Sequence, residues 1–145
     1  MKRSKRKITE IIIHCSATAE GKDFTVQDID RWHRERGFKC IGYHYVIGIK
    51  GNIEKGRPEG EQGAHCTGRN ATSVGICYIG GLKNGKASDT RTKEQREALL
   101  ELVHDIVTRY GIPTKRIYTH NLFAAKDCPC FSADSFRKEY EERYR

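Results

Sequence analysis

The segment HNLFAAKDCPCF, residues 120–131, places a histidine, a lysine and two cysteines within twelve positions. Histidine nitrogen and thiolate sulfur are common zinc ligands in proteins, so a metal site is one interpretation. A redox pair is a second interpretation, and a loop whose cysteines only pack is a third. Cys128 and Cys130 are separated by one residue, which matches neither a thioredoxin-type CxxC motif nor a paired zinc knuckle. A metal site would therefore need ligands from elsewhere in the chain.

A second histidine, His14, follows the β-branched run TEIII near the start of the sequence. We expect residues 10–14 to form a strand that is buried on both faces, because the run barely alternates between polar and apolar residues. A later run, KRIYTH, predicts a short strand that ends at His120. Both histidines would then lie at the carboxyl ends of strands, where sites collect in open α/β sheets.

Two imidazoles and one thiolate, supplied by His14, His120 and Cys128, would satisfy a catalytic zinc site that leaves its fourth position to water. Such an ion would keep a net positive charge and could lower the pKa of bound water. The chain has six histidines and six cysteines, so many such triples could be drawn. Ordinary surface histidines with satisfied partners remain the alternative.

Lys126 and Tyr43 are further candidates for chemistry. Residues two apart in an extended loop point the same way, so Lys126 could face the same pocket as Cys128. The alternative is a solvated surface lysine. Tyr43 and Tyr45 fall on one face of a predicted strand and His44 on the other, and either tyrosine could equally belong to the core.

The elements that must position these residues alternate along the chain. The segment TVQDIDRWHRERG predicts a helix that begins at a Thr25 cap, with Asp28 three residues on, and stops at Gly37. Residues 43–49 and 53–57 predict two strands joined by the turn dipeptide Gly51-Asn52.

The second half of the chain follows the same plan. SVGICYIGG predicts a buried strand, and KNGKASDT a surface loop. A capping box from Thr92 to Gln95 opens a long amphipathic helix that stops at Gly111, and Ser132 can cap a last helix. The order β-α-β-β-β-α-β-α predicts an α/β fold in one domain, residues 1–145, with a central mixed sheet flanked by about three helices.

The formal charge of +8 predicts attraction to polyanions such as nucleic acid, acidic membrane surfaces or anionic cell-wall polymers. Residues 1–7, MKRSKRK, are interpreted as a basic N-terminal tail. We find no export signal and no run of eighteen apolar residues, so neither secretion by a signal peptide nor membrane insertion is expected. The cysteines are then expected to be thiols or metal ligands rather than disulfides.

Ordered motifs along the chain resemble those of a known family. They are IIIHCSAT, RWHRERGF, IGYHYVI, GNIEKGR, GAHCTGRNATSVGICYIGG, the T-x-x-Q opening of the long helix, and a histidine followed by KDCPCF. In this order they resemble the type 2 N-acetylmuramoyl-L-alanine amidases, with most similarity to T7 lysozyme-like endolysins and a relation to peptidoglycan recognition proteins. The resemblance runs from residue 9 to about residue 136 and implies the T7 lysozyme and recognition-protein fold.

The resemblance also implies a function: a zinc amidase that cuts the amide between the lactyl group of N-acetylmuramic acid and L-alanine of the stem peptide. His14, His120 and Cys128 take the places of the ligands of one Zn²⁺ per chain, and Tyr43 and Lys126 the catalytic positions. Four residues match positions that line the substrate groove in recognition-protein relatives: His33, His65, Arg57 and Asn70. Cys130 stands where the T7-like pattern often has serine.

Amide hydrolysis needs an activated water, a stabiliser for the oxyanion and a proton for the leaving amine. Lys126 is suited to the second task. Tyr43, with an ordinary pKa of about 10, more plausibly orients water or relays a proton than acts as a free base. No acidic residue is an obvious general base.

Three interpretations follow for the whole protein. The first is a monomeric phage or prophage endolysin, made in the cytoplasm and acting on the cell wall after release, with an exported interbacterial effector as the less favoured variant. The second is a non-catalytic peptidoglycan-binding module. The third, a protein that binds nucleic acid or a polymerase, rests on the basic charge and on a regulatory activity known for one relative in the family it resembles. No helix-turn-helix, aromatic RNA platform or zinc-finger spacing supports it.

Overall fold

A five-stranded sheet built around the N-terminal strand organises the molecule. The structure is a computed structural model that describes residues 5–144. Its strands and helices, in chain order, are β1 (Glu10–Cys15), β2 (Thr18–Ala19), α1 (Val26–Glu35), β3 (Tyr45–Ile47), β4 (Ile53–Lys55), β5 (Ser73–Tyr78), β6 (Gly81–Lys83), β7 (Lys86–Ala87), α2 (Lys93–Tyr110), β8 (Ile117–Thr119) and α3 (Ala133–Arg143).

The main sheet has the strand order β4-β3-β5-β1-β8. Strand β1 is parallel to both of its neighbours, β5 and β8, whereas the edge strand β4 is antiparallel to β3. The predicted mixed sheet is confirmed. Ile13 of β1 pairs with Thr119 of β8. The next residue of each segment, His14 within β1 and His120 directly after β8, therefore lies beside the other.

Helices cover both faces of the sheet. Ile11 and Ile13 of β1 pack on one face in a core that contains Leu99 of α2 and Phe136 of α3. Because side chains alternate along a strand, His14 belongs to the opposite face. On that face its pairing partner Cys77 packs with residues of α1. The metal-ligand candidate on β1 therefore lies on the α1 side of the sheet.

The predicted helix caps are confirmed. Thr25 and Asp28 form a capping box at α1, and Thr92 and Gln95 form another at α2. Gly111 ends α2 in the left-handed conformation, with φ 65°, which glycine adopts without steric cost. The Gln95 amide also donates to the carbonyls at the ends of β3 and β5. The start of α2 is thereby tied to the edge of the sheet that lies beside the site.

Two strand predictions need correction. Strands β3 and β4 are shorter than the predicted residues 43–49 and 53–57, although backbone hydrogen bonds from Gly56 to His44 and from Arg57 to Tyr43 continue the contact beyond the strands. The prediction that KNGKASDT is only a surface loop was wrong. Its first residue ends β6 and Lys86–Ala87 form β7, and β6 pairs with both β2 and β7 in a second sheet of three short strands.

The basic N-terminal tail lies partly outside the described residues, since the structure describes it only from Lys5 onward. Within that part, Arg6 is held on the protein surface by hydrogen bonds to the carbonyls of Glu59 and Ser73, at 2.9 and 3.0 Å. No helix in the described part of the chain is both long enough and apolar enough to cross a membrane.

Candidate metal centre

Three side chains from distant parts of the sequence converge at the carboxyl ends of β1 and β8. His14 comes from β1, His120 directly follows β8, and Cys128 lies in the loop before α3. One ligand atom of each lies within 4.8 Å of the other two. The rings of His14 and His120 have centroids 4.5 Å apart. The sequence prediction that these three residues could share an ion is therefore consistent with the geometry.

The loop that carries Cys128 is folded back onto β1 by specific contacts. The backbone N–H of Cys15 donates to the Cys128 sulfur at 3.2 Å. The hydroxyl of Tyr78 donates to the carbonyl of Pro129 at 2.7 Å, and the Asn121 amide donates to a carbonyl across the loop at 3.0 Å. These contacts hold the thiol beside the two imidazoles.

The donor set suits zinc better than a hard cation such as Mg²⁺ or Ca²⁺, which prefers oxygen ligands. Zinc bonds of about 2.0–2.3 Å put tetrahedral ligand atoms roughly 3.5 Å apart, so a small contraction of the cluster would suffice. Burial, followed by nearby His65 and His120, lowers the pKa of His14 well below its ordinary value. Burial and then Lys126 lower the pKa of His120. Both imidazoles are thus unprotonated near neutral pH, as metal ligation requires.

A groove of about 280 Å³ opens onto this cluster from the α1 side. Among the residues that line it are His33, Tyr43, His65, Asn70, His120 and Lys126. Of the three ligand candidates, His120 lines the groove, and His14, whose ring packs against it, is only 1% exposed.

Tyr43 and Lys126 both line the groove beside the cluster. The Tyr43 ring is 5.0 Å from the His14 ring, centroid to centroid. Burial, and then the thiols of Cys77 and Cys128, raise the pKa of Tyr43 well above its ordinary value, so its phenol keeps its proton at neutral pH. Lys126 is exposed in the groove, and its charge lowers the pKa of both His14 and His120.

The residues implied to bind substrate lie in different environments. His33 lines the groove while its Nδ1 accepts a hydrogen bond from the Gly42 N–H at 2.9 Å. Asn70 also lines the groove, and its side-chain oxygen accepts from the backbone N–H of His65 and of Cys66. His65 is nearly buried and contacts His14 at 2.8 Å.

Arg57 is not among the residues that line the groove. Its guanidinium is buried and donates to the carbonyls of Ile41 and Gln62, at 2.7 and 2.8 Å. These bonds make Arg57 a brace for the segment that leads to His65.

Sequence reasoning missed two features of the site. Arg36 lines the groove and stacks on Phe38, with its guanidinium carbon 5.3 Å from the ring centroid, and the only available signal was the basic run RWHRERGF. The thiols of Cys15 and Cys130 lie together next to Cys128, since Cys15 hydrogen-bonds to both of the others. Burial, and then nearby Cys15, raise the pKa of Cys130 to about 12.

Comparison with known proteins agrees with this geometry. The model of the family described as N-acetylmuramoyl-L-alanine amidase matches residues 4–131. The endolysin of Escherichia phage T7 is 36% identical over 122 residues, which cover 83% of this chain and 80% of that protein.

Two solved structures share the fold. N-acetylmuramoyl-L-alanine amidase LysC from Clostridium intestinale URNW superposes with a TM-score of 0.79 at 27% identity, covering 93% of this chain and 86% of that one. Bumblebee peptidoglycan recognition protein SA superposes with a TM-score of 0.72 at 27% identity, covering 89% and 79%. The fold prediction and the resemblance are both confirmed, and the chain belongs to the N-acetylmuramoyl-L-alanine amidase family of hydrolases.

Proposed function

We propose that the chain holds one Zn²⁺ on His14, His120 and Cys128 and hydrolyses the bond between the lactyl group of muramic acid and L-alanine in peptidoglycan. The observation that carries this proposal is the meeting of two imidazoles and one thiol within 4.8 Å, beside a groove that His120 lines. The proposal has a chemical basis, because two histidines and one cysteine match the ligands of catalytic zinc sites, which leave one coordination position free for water or substrate.

Each residue around the cluster has a task in amide hydrolysis. Zinc, when bound, supplies a Lewis acid that activates water near neutral pH and polarises a carbonyl. The Lys126 ammonium, which projects into the groove, stabilises the negative charge that develops on the amide oxygen. The Tyr43 phenol, which keeps its proton, orients the attacking water or relays a proton to the leaving amine.

The walls of the groove are proposed to bind the muramoyl peptide. His33, His65 and Asn70 line the groove, while Arg57 supports the backbone beside it through buried hydrogen bonds. The net charge of +8 supports attraction to an anionic cell wall. The proposed function requires neither a specific nucleic-acid partner nor insertion into a membrane.

The similarity to phage endolysins supports a role as a lytic enzyme that acts on the cell wall, and we propose that the enzyme is a single-domain monomer. Expression in the bacterial cytoplasm should then leave cells intact until the inner membrane is permeabilised. The assay is culture turbidity before and after a membrane-permeabilising agent is added. Lysis from cytoplasmic expression alone would contradict this role.

The central test compares the zinc content and activity of Cys128→Ser with those of the wild type. We expect the wild type to contain close to one zinc per chain and to release stem peptides with a free L-alanine amine from purified sacculi. Cys128→Ser should lose most of its metal and its activity. Cys40→Ser is the matched control, because the Cys40 thiol only contacts a neighbouring carbonyl, and it should keep both.

Two outcomes would count against the proposal. If Cys128→Ser had the same zinc content and the same activity as the wild type, Cys128 would not be the third ligand. A wild type that binds muropeptide but never releases stem peptide would support a non-catalytic binding module instead.

A further inference from the structure

A chain of three hydrogen bonds runs from His14 through His65, which also lines the groove, to Ser73 and the Arg69 backbone. His14 Nε2 lies 2.8 Å from His65 Nδ1. His65 Nε2 lies 3.2 Å from the Ser73 hydroxyl oxygen. That hydroxyl donates to the carbonyl oxygen of Arg69 at 2.7 Å. His14 and Ser73 are at most 1% exposed and His65 is 9% exposed, so water competes little for these bonds.

The last hydrogen bond, from the Ser73 hydroxyl to the Arg69 carbonyl, determines the donor and the acceptor in each of the other two. A carbonyl oxygen only accepts, so the single hydroxyl proton of Ser73 is committed to Arg69. The Ser73 oxygen can then only accept from His65, which places the His65 proton on Nε2. A neutral imidazole carries one proton, and Nδ1 of His65 is therefore a bare acceptor that faces His14.

The same logic continues to the metal-ligand candidate. His65 Nδ1 accepts, so His14 must carry its proton on Nε2 and donate it. The Nδ1 lone pair of His14 is then free and cannot be blocked by a proton in the neutral ring. Neutrality of both rings is consistent with their surroundings, since within residues 5–144 neither ring hydrogen-bonds to a carboxylate.

The backbone around His65 is built to hold the ring in this place. A Cβ at Gly75 of β5 would lie 2.6 Å from Cδ2 of the His65 ring, and a Cβ at Gly63 would lie 2.7 Å from the same atom. Two glycines therefore form a slot that no other residue type would leave open. On the other side, the Asn70 side chain accepts from the His65 backbone N–H at 2.9 Å. The position of the ring is thus determined by packing as well as by its hydrogen bonds.

We propose that His65 is a positioning residue that selects the Nε2–H tautomer of His14 and so presents Nδ1 of His14 to the metal, with buried Ser73 as the anchor of the chain. The role differs from substrate contact, which is what the resemblance implies for His65. Partners of this kind orient metal-ligating histidines, and their loss typically lowers metal affinity by about 10-fold to 100-fold. The expected effect on metal affinity rests on the proposed metal site at His14, but the tautomer of His14 does not require an ion.

The first experiment reads the tautomers directly in the metal-free wild-type protein. Long-range ¹H–¹⁵N correlation spectra of the histidine side chains distinguish Nε2–H from Nδ1–H rings. We expect both His14 and His65 to be Nε2–H tautomers at neutral pH, and His14 to lose that preference in Ser73→Ala. An Nδ1–H tautomer for either ring in the wild type would overturn the inference, even if the protein proves to be a zinc amidase.

The second experiment measures zinc affinity by competition with a chromophoric chelator. His65→Leu removes the acceptor and should weaken zinc binding about 10-fold to 100-fold. His65→Asn places an amide oxygen near the position of Nδ1 and should recover most of that loss. Ser73→Ala should weaken binding in the same direction by a smaller factor, and it keeps the test valid if His65→Leu does not fold.

A purely substrate-binding role for His65 predicts a different pattern. Zinc affinity would be unchanged in all three variants, while KM for muropeptide would rise in His65→Leu, and that pattern would overturn the inference. Failure of the wild type to bind zinc would instead contradict the proposed function, and the tautomer spectra would still test the hydrogen-bond chain.

Discussion

Replacing Glu59 with glutamine should lower the free energy of unfolding by about 2–3 kcal/mol at pH 7. The Glu59 carboxylate accepts both guanidinium nitrogens of Arg109, at 2.8 and 2.7 Å, and the hydroxyl of Tyr110 at 2.6 Å. The Tyr45 hydroxyl also donates to it. The side chains of Glu59 and Arg109 are only 9% and 10% exposed. Glutamine keeps the shape but replaces the carboxylate that faces the buried guanidinium with a neutral amide, while the ion pair of Arg109 with the half-exposed Asp105 stays.

The magnitude follows from the ionisation of the carboxyl. Burial opposes the charge, but the hydrogen bonds from Arg109, Tyr110 and Tyr45 outweigh it and lower the pKa of Glu59 from 4.5 to about 2. At about 1.4 kcal/mol per pH unit this difference is worth about 3 kcal/mol as an upper value. A depressed pKa stabilises the fold above the unfolded-state value. The contribution is complete above about pH 4.5 and is lost as the pH falls toward 2.

The assay is urea denaturation followed by circular dichroism at pH 7, 4 and 3. The difference between wild type and Glu59→Gln should be largest at pH 7 and should shrink as the pH falls below 4.5. Glu61→Gln is the matched control, because its ion pair with Lys39 is largely exposed and should be worth less than about 0.5 kcal/mol. A Glu59→Gln protein within that same small margin at pH 7, or a difference that does not change with pH, would refute the reasoning.

Two other substitutions separate catalysis from stability. Lys126→Ala should keep its zinc and its fold, while its turnover of peptidoglycan should fall about 100-fold to 1,000-fold. The control is Lys138→Ala, which removes the same charge from an exposed position in α3. A fall of less than tenfold in Lys126→Ala would contradict a role for Lys126 in the reaction. Phe136→Ala empties a core position that is 1% exposed and should cost about 3–5 kcal/mol in chemical denaturation; a cost below about 1 kcal/mol would mean that α3 does not close the core as described.

The parts of the fold that the sequence predicted correctly are those with local signals. The capping residues Thr25 and Thr92 predict the starts of α1 and α2, and the apolar run before His14 predicts β1. Strands β2, β6 and β7 have two or three residues each, too few to show an alternating pattern. Their pairing depends on contacts between distant segments, so local analysis took them for loop.

The site could be predicted only as far as strand ends bring residues together. His14 and His120 were expected at one edge of the sheet, and parallel pairing of β1 with β8 places them there. The contact between His14 and His65 joins residues far apart in sequence through the slot at Gly75. A glycine inside a buried strand is a sign of close approach, but it does not say which side chain approaches.

The long separation between the first and last ligand candidates has a consequence for assembly. In the unfolded polypeptide His14 and Cys128 belong to opposite ends of the chain, so an ion would meet only scattered donors with little affinity. Capture must await docking of β8 beside β1 and return of the loop that follows it. An ion that only the folded chain can bind would stabilise the native state, by an amount that rises with the concentration of free metal.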